Sequence, residues 1–569
     1  MSKIKRSLSQ IQFGYLPQQT VDVQGGIWKV VDWSNAETRS NIDERSLKTE
    51  LRRLSGPWAV AGKDGGYFAD MNKRNTSVVL KLINRDRGVH LKPFPEIWYC
   101  GNCYRIHDQP EGGCKCGAPR RRGQLQFVAY SESTGEIKEP NIARCQTHGA
   151  SRIHLPGTAT GNEVTFDCPD CSKKLGSFRY TRASNGDRMQ INVHRAAAVF
   201  TPRSVVVVNP PSLETLRSLE DAGGGPRALE WLLDGMPGKS MLDGKPTTDG
   251  LRRQLAASGL DPQTIEKMLS IAASADGVAS GPGPSGLIGE VKARSEEEAM
   301  KIALGVSESR STFNELIIGT DPLSALRHRY DVQYPEALYN AGLERVELIE
   351  KFPILSGHFG YTRGPSEAGA SELIHYYDRK RGAYEIYGDI SETEAMFVGL
   401  DPILVAEWLR KRGHSLKAAH SSAKEARLDI LGRISAVDDF TDSIYRDVVT
   451  LVHSYSHRLI RLAAVHAGIE LHALSELLVP LHLGFFVYAA TRGDFVLGGL
   501  QALFENDLNL LLNELVDGEH RCALDPGCSK SGGACVACLH LGEPSCRLFN
   551  TRLDRSVLAG PAGFLGLRR

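Results

Sequence analysis

Cys100-Gly101-Asn102-Cys103 is the first of four short segments that each hold two potential metal ligands. The other three are Cys114-Lys115-Cys116, Cys145-Gln146-Thr147-His148 and Cys168-Pro169-Asp170-Cys171. Two ligands a few residues apart can bind one metal ion from a single tight turn, and two such turns complete a tetrahedral zinc site. The seven thiols and one imidazole therefore predict two structural zinc sites, whose binding energy would substitute for a hydrophobic core in this loop-rich region.

The sequence leaves the pairing of these segments open. Pairing in chain order gives one site with four cysteines and one with three cysteines and His148. A crossed arrangement would instead join Cys100 and Cys103 to Cys168 and Cys171. Buried free thiols or a redox pair are the alternatives to metal, but clustered cysteines at this spacing in a reducing compartment favour metal binding.

A second group of five cysteines lies within residues 522–546. Five exceed the four ligands that zinc takes in a closed site. We predict that Cys522, Cys528, Cys535 and Cys538 bind the metal, with Cys546 as a spare or substitute ligand. Four thiolates leave no position for water, so this site would be structural and not catalytic. The whole chain is thus expected to hold three structural zinc ions.

The composition and charge of the chain limit the class of protein to which it can belong. The chain has 569 residues, 41% of them hydrophobic and 24% charged, with a net charge of +1. These values exclude a disordered or fibrous chain, and the length predicts several domains. Residues 1–200 hold 30 Lys and Arg against 19 Asp and Glu, whereas residues 201–400 hold 20 against 29. The basic first third predicts contact with a polyanion such as nucleic acid, and the acidic middle is compatible with protein docking.

Three consecutive arginines, Arg120, Arg121 and Arg122, follow shortly after Cys116. Arginines on a metal-stabilised loop can bind phosphate groups and gain affinity by releasing counterions. The alternative is an ordinary solvated loop. We take the three arginines as candidate DNA contacts.

No segment predicts export or membrane insertion. Residues 1–6 are basic, but no apolar segment follows them. The longest uncharged apolar stretch lies between Glu476 and Arg492; it is too short to cross a bilayer and contains Pro480. We therefore expect a cytoplasmic protein without a membrane partner or a small-molecule substrate.

Motifs of catalysis are incomplete. Residues 235–240 resemble a phosphate-binding loop, but Leu233 stands where the first glycine is required. His453 and His457 lie one helical turn apart, but no glutamate follows His453 as in the HExxH metalloprotease motif, so a packing role is expected. Nuclease and hydrolase motifs are also missing, which favours a non-catalytic protein without an ATPase motor.

Periodicity predicts a mixture of strands and helices in five segments. Helices are expected over residues 445–467 and 500–516 and a buried strand over 483–490, while Ser295 and the glutamates after it are typical of a helix N-terminus. The predicted segments are a strand-rich 1–95, a zinc-ribbon region 96–180, a mixed or helical 181–320 with Gly/Pro breaks, a mixed α/β 321–435 and a zinc-binding 436–569.

The C-terminal residues resemble a known zinc-binding domain. The resemblance rests on residues 451–460 (LVHSYSHRLI), residues 486–491 (FVYAAT), Gly498-Gly499, and the cysteine cluster with Leu553-Asp554-Arg555 after it. This pattern is similar to the MZB-type domain found on or beside bacterial superfamily 2 DNA helicases. Lys5-Arg6-Ser7, the two pairs of ligand segments within residues 100–171 and His194-Arg195-Ala196-Ala197 are similar to the DrmB family of the DISARM anti-phage systems, which the chain resembles over its full length. Residues 491–494 form a shorter segment before the paired glycines than that family has.

The resemblance implies a fold, a role and a partner. The fold would be mixed α/β and multidomain, with an N-terminal region that contains a zinc ribbon and a C-terminal helicase-associated α/β zinc-binding domain. The role would be that of a non-catalytic accessory subunit in a heteromeric complex that restricts foreign DNA. A DrmA-like helicase subunit would supply ATP hydrolysis, and the DNA would be single-stranded or a duplex with a single-stranded overhang. A metal-dependent nuclease with an unrecognised site and a protein-only scaffold for the helicase are the alternatives.

Overall fold

A computed structural model of the chain divides into two compact units. It describes residues 2–568 apart from 7, 41, 85–87, 119–121, 156–162, 209–212, 244–251, 253–254, 257, 259, 275–286, 288, 308, 438–439, 490–496, 519, 531, 543–544, 547, 549 and 561. Unit 1 comprises Met1–Val207 and Leu355–Ile390, and unit 2 comprises Val208–Ile354 and Ser391–Arg569. The five predicted segments are finer than these two units, and their boundaries stay a prediction.

Unit 1 is built mainly of strands. Its described helices are α1 (Leu8–Gly14), α2 (Glu44–Val60) and α3 (Tyr67–Asn72). Its strands, of which β16, β17 and β20 run on into residues assigned to unit 2, are β1 (Ser2–Lys5), β2 (Thr20–Val23), β3 (Gly26–Trp33), β4 (Glu37–Arg39), β5 (Ser77–Leu82), β6 (Gly88–Pro93), β7 (Trp98–Tyr99), β8 (Ile106–His107), β9 (Gly123–Gln124), β10 (Phe127–Tyr130), β11 (Ile137–Lys138), β12 (Arg152–His154), β13 (Thr165–Asp167), β14 (Lys174–Gly176), β15 (Gln190–Val193), β16 (Thr201–Val208), β17 (Leu343–Thr362), β18 (Ile374–His375), β19 (Tyr377–Asp378) and β20 (Ala383–Leu400).

Four small sheets contain most of these strands, and β4, β5 and β16 to β20 belong to a nine-stranded sheet. An antiparallel sheet has the order β1-β6-β3-β2, and three three-stranded sheets, β8-β7-β9, β11-β10-β15 and β12-β13-β14, carry the region of the first cysteine clusters. Strand β5 pairs parallel to β20, with Ser77 opposite Ala383. Helix α2 covers this part of the sheet because its apolar residues recur every three or four positions, so that Leu51 and Trp58 lie on one buried face beside Val78 and Leu80.

Unit 2 combines many helices with the other end of the long strands. Its strands β21 (Leu474–Val479) and β22 (Gly484–Ala489) pair antiparallel, and β22 pairs with β20. Its described helices are α4 (Leu213–Asp221), α5 (Gly224–Leu233), α6 (Pro262–Ser274), α7 (Gly289–Val306), α8 (Phe313–Gly319), α9 (Ala325–His328), α10 (Tyr334–Asn340), α11 (Pro402–Lys411), α12 (Ala423–Arg433), α13 (Ser443–His466), α14 (Gly499–Ala502), α15 (Leu508–Asp517) and α16 (Gly527–Lys530). Of the described helices, none is long and apolar enough to cross a membrane.

Helix α13 is the central helix of unit 2. Asp442 caps its first turn by accepting a hydrogen bond from the amide of Tyr445 (2.8 Å). Sixteen of its side chains are buried, among them those of His453 and His457, and the helix packs on β21 and β22. Both histidines therefore lie inside the protein, one turn apart on the same helix.

Two adjacent residues of β20 hold the ends of the segment that follows β22. The hydroxyl of Thr393 donates to the carbonyl of Ala489 (2.6 Å). The buried carboxylate of Glu394 accepts the amides of Gly498 (3.0 Å), Leu500 and Gln501 (both 3.2 Å) at the start of α14. Gly498 has a φ of 125°, which favours glycine at this position.

The predicted mixed α/β class is confirmed, and most predicted elements are close to the observed ones. The helix expected over residues 445–467 is Ser443–His466, and the strand expected over 483–490 is Gly484–Ala489. The prediction of a helix N-terminus at Ser295 was wrong. Helix α7 begins at Gly289, and Ser295 lies fully buried in its middle.

Candidate metal centres

Three of the predicted ligand turns share one backbone geometry. In each, the amide of the first cysteine donates to the carbonyl five residues later, and its own carbonyl accepts the amide four residues later. That fourth residue has a φ of 56° to 62° in every case. The turns begin at Cys100, Cys145 and Cys168, and the residues with positive φ are Tyr104, Gly149 and Ser172. The backbone thus brings both ligands of each turn to the same side.

The first cluster consists of Cys100, Cys103, Cys114 and Cys116. The Sγ atoms of Cys100 and Cys116 lie 3.6 Å apart, and those of Cys103 and Cys114 lie 3.5 Å apart. Zinc–sulfur bonds of about 2.3 Å place the sulfurs of a tetrahedral site roughly 3.8 Å apart. The four thiols therefore fit a single tetrahedral ion.

The second cluster consists of Cys145, His148, Cys168 and Cys171. The Nδ1 atom of His148 lies 3.5 Å from Cys145 Sγ and 3.6 Å from Cys168 Sγ, and the Sγ atoms of Cys145 and Cys171 are 3.9 Å apart. The structure thus groups the ligand turns in chain order and not in the crossed arrangement. This set of three thiols and one imidazole also fits a tetrahedral ion.

The two clusters belong to one small substructure. The backbone amide of Ile106 donates to the carbonyl of Ser151, and the amide of Ile153 donates to the carbonyl of Tyr104. The strands beside the two clusters therefore pair with each other. The guanidinium of Arg105, two residues after Cys103, forms a bidentate ion pair with Asp170, which lies between Cys168 and Cys171. A hydrophobic cluster that includes Ile106, Ile153 and Phe166 packs beside these strands. Metal binding would add to the stability that this small core supplies.

Local hydrogen bonds affect the ionisation of the thiols. The amide of Ala118 lowers the pKa of Cys116 to about 6, and the amide of His148 lowers the pKa of Cys145 to about 6. Burial raises the pKa of Cys103 to about 12. Hydrogen bonds from backbone amides thus favour the thiolate form of one cysteine in each of these two clusters, and a bound cation would favour the thiolate form of the others.

The third cluster contains the four predicted C-terminal ligands, Cys522, Cys528, Cys535 and Cys538. Sulfur–sulfur distances are 3.5 Å for Cys522 and Cys535, 3.7 Å for Cys528 and Cys538, and 3.8 Å for Cys535 and Cys538. All twelve cysteines are described, and none of them forms a disulfide. This cluster has the same tetrahedral dimensions as the first.

Cys546 does not join the third cluster. Its sulfur lies 3.3 Å from Nε2 of His453, and both belong to a separate buried group with His457 and Glu476. The sequence points to both histidines and to Cys546, but not to Glu476. A glutamate in the middle of a buried apolar strand is the signal that could have identified it, because an unpaired buried charge is costly.

The structure describes only one of the three arginines that are candidate DNA contacts. Arg120 and Arg121 lie outside the described residues, so their role as DNA contacts stays a prediction. The guanidinium of Arg122 donates to the carbonyls of Gln109 (2.7 Å) and Gly113 (3.2 Å), on the loop that leads to Cys114. Arg122 therefore supports the first metal cluster.

Side chains from outside residues 235–240 bind the backbone of the loop that resembles a phosphate-binding loop. The amides of Lys239 and Ser240 donate to the carboxylate of Asp243 (2.7 and 3.0 Å). The guanidinium of Arg310 donates to the carbonyls of Met236 and Gly238. Two amides that a phosphate would need are thus already bound to a carboxylate.

These observations define a mixed α/β protein with three sulfur-rich candidate metal sites. A family model described as "Domain of unknown function (DUF8724)" matches residues 7–199. The chain is also similar to the DISARM protein DrmB of Bacillus paralicheniformis, with 25% identity over 195 residues, which cover 32% of this chain and 33% of that protein. The match thus spans about a third of the length of the curated relative. It confirms the predicted resemblance to DrmB.

Proposed function

We propose that the chain is a non-catalytic DNA-binding subunit of a DISARM-type anti-phage system. The similarity to DrmB is the observation that carries this proposal. The basic balance of residues 1–200 and the incomplete phosphate-binding motif support it. A helicase subunit resembling DrmA would hydrolyse ATP in the same cytoplasmic complex, and this chain would contact the DNA and the helicase.

The metal in the three sulfur-rich clusters is proposed to be zinc. Four ligands per cluster, of thiolate and imidazole type and at tetrahedral spacing, match the preferences of structural zinc. In this proposal residues 96–180 form a zinc-ribbon region and residues 436–569 form an MZB-type domain. Four protein ligands would complete the coordination sphere of each zinc ion and leave no position for a substrate. The role of the metal would therefore be to hold DNA-binding and helicase-binding surfaces in place.

Charge reversal at Arg120 and Arg121 is expected to weaken DNA binding. The variant Arg120→Glu/Arg121→Glu would lose contacts with phosphates, so the plot of log affinity against log salt should become shallower by about two units. We would measure fluorescence anisotropy of a labelled duplex with a single-stranded overhang over a salt series. Arg122 is left unchanged because it binds carbonyls beside the first cluster.

A matched control reverses two exposed charges in the acidic middle of the sequence. Arg217→Glu/Lys267→Glu carries the same change in net charge on α4 and α6, and it should bind DNA like the unmodified chain. Equal affinity and salt slope in both variants would remove the arginines from the DNA site. Failure of the unmodified chain to bind at low salt would favour the protein-only scaffold, and DNA cut by the purified chain would favour the nuclease.

A further inference from the structure

A fourth group of ligand-type side chains is buried inside unit 2. His453 and His457 come from helix α13, Glu476 from strand β21, and Cys546 from the segment after the third cysteine cluster. One ligand atom from each residue lies within 4.8 Å of the others. The two histidines and Glu476 are completely buried, and Cys546 is 4% exposed. Groups of this kind are not buried together without a partner that balances their charge.

A backbone carbonyl orients the imidazole of His457. Its Nδ1 atom lies 2.8 Å from the carbonyl oxygen of Leu539, which can only accept a hydrogen bond, so Nδ1 carries a proton. In the neutral ring, Nε2 then holds the lone pair, and this atom is directed towards Glu476, 3.4 Å away, without a hydrogen-bond partner among the described residues. A carbonyl on the far nitrogen is the usual support of a histidine that binds a metal.

Glu476 and Cys546 have supporting contacts of the same kind. The hydroxyl of Ser456 donates to one oxygen of Glu476, and the other oxygen lies 3.2 Å from Nε2 of His453. The amide of Asn550 donates to the sulfur of Cys546 (3.1 Å), which holds this side chain in place. The backbone amide of Glu476 donates to the backbone carbonyl of Ser545 (3.2 Å). This hydrogen bond places the neighbouring Cys546 beside strand β21.

We propose that His453, His457, Glu476 and Cys546 bind a divalent transition metal, zinc in the first place. The distances of 3.2 to 3.4 Å between their facing atoms fit tetrahedral bonds of about 2.0 to 2.3 Å to nitrogen, oxygen and sulfur. One carboxylate, one thiolate and two neutral imidazoles carry a charge of −2, which a divalent cation cancels. That balance is what a fully buried site requires.

The site would be structural. Four protein ligands leave no open position for water or substrate. The ion would connect helix α13 and strand β21, which lie close together in sequence, to the chain beyond the third cluster, where Cys546 lies 93 residues after His453. Since Leu539 directly follows Cys538, the orientation of His457 also depends on the turn that holds the third cluster. This inference does not depend on DNA binding.

The test is the number of metal ions in the purified full-length chain. Inductively coupled plasma mass spectrometry of chains expressed with zinc should give four equivalents per chain, one more than the three sulfur-rich clusters hold. Cys546→Ser and His457→Gln should each reduce the count to three. His466→Gln is the matched control, because His466 lies on the same helix but pairs with Glu514 at 2.7 Å and not with the cluster; its count should remain four.

The count in the unmodified chain keeps the proposal testable even if a variant fails to fold. Three equivalents in a folded, unmodified chain would overturn it and would mean that Glu476 is balanced by protonated histidines instead. Four equivalents retained in both Cys546→Ser and His457→Gln would overturn it as well. A fourth equivalent of iron or cobalt, lost in the same two variants, would support the site and change its metal.

Discussion

Replacing Cys535 and Cys538 with serine should remove one metal ion and unfold the C-terminal cysteine segment. Both sulfurs belong to the third cluster, where Cys535 also contacts Cys522 and Cys538 contacts Cys528. Serine oxygen is a far poorer ligand than thiolate for zinc. Structural zinc contributes about 10 to 16 kcal/mol in small metal-dependent domains, more than the total stability of many domains.

The unfolding should be local, because the segment has almost no other core. Between residues 520 and 541 the described side chains that are buried are those of Cys522, Cys528, Leu539 and Leu541. Helix α13 is instead packed on β21 and β22. Hydrogen-exchange mass spectrometry should therefore show rapid exchange in residues 520–541 and slower exchange in α13.

A control for this experiment lies in the same turn. Val536 stands between the two cysteines and is 74% exposed, so Val536→Ser should keep the metal and the protection from exchange. Metal content would be measured in parallel. A folded Cys535→Ser/Cys538→Ser chain with its full metal complement would show that these residues are not ligands.

Replacing Arg310 with alanine should destabilise unit 2 by about 3 to 5 kcal/mol, the range measured when one partner of a buried ion pair is removed. The side chains of Arg310 and Glu347 are only 4% and 6% exposed and form two hydrogen bonds of 2.7 Å. Arg310 also donates to the carbonyls of Met236 and Gly238. Alanine would leave the two carbonyls without this donor and the buried carboxylate with only its longer contact to Arg345 (3.5 Å).

Urea denaturation followed by tryptophan fluorescence would measure this loss, and two further variants would interpret it. Arg310→Met/Glu347→Leu removes both charges and should cost less than Arg310→Ala alone. Lys417→Ala breaks the exposed pair with Glu425 and should change stability by about 1 kcal/mol or less. Equal midpoints for Arg310→Ala and Lys417→Ala would mean that the buried pair contributes no more than a surface pair.

The cysteine clusters show how far local sequence patterns determine structure. Each ligand turn is formed by hydrogen bonds within six residues, so the spacing of the ligands was sufficient to predict the turns. The pairing of turns was not predictable, because it depends on contacts such as that between Arg105 and Asp170, 65 residues apart. The grouping of Cys546 with Glu476 depends in the same way on strand placement.

Ser295 shows why a local signal can mislead. A serine followed by three glutamates is typical of a helix start, but here the acids serve other contacts. Glu298 is buried and accepts the amide of Leu481, and His482 donates to the carbonyl of Ser295. Glu297 pairs with Arg294 and Lys301 on the same helix. Tertiary and side-chain contacts thus satisfy the residues that would otherwise mark a terminus.

Thr393 and Glu394 make the connection after β22 a natural place for evolutionary change. One residue holds the end of the strand and its neighbour holds the start of the next helix, so neither end depends on what lies between them. Changes in chain length between Ala489 and Gly498 are therefore expected to accumulate among relatives, while the two attachment points on β20 are inherited unchanged.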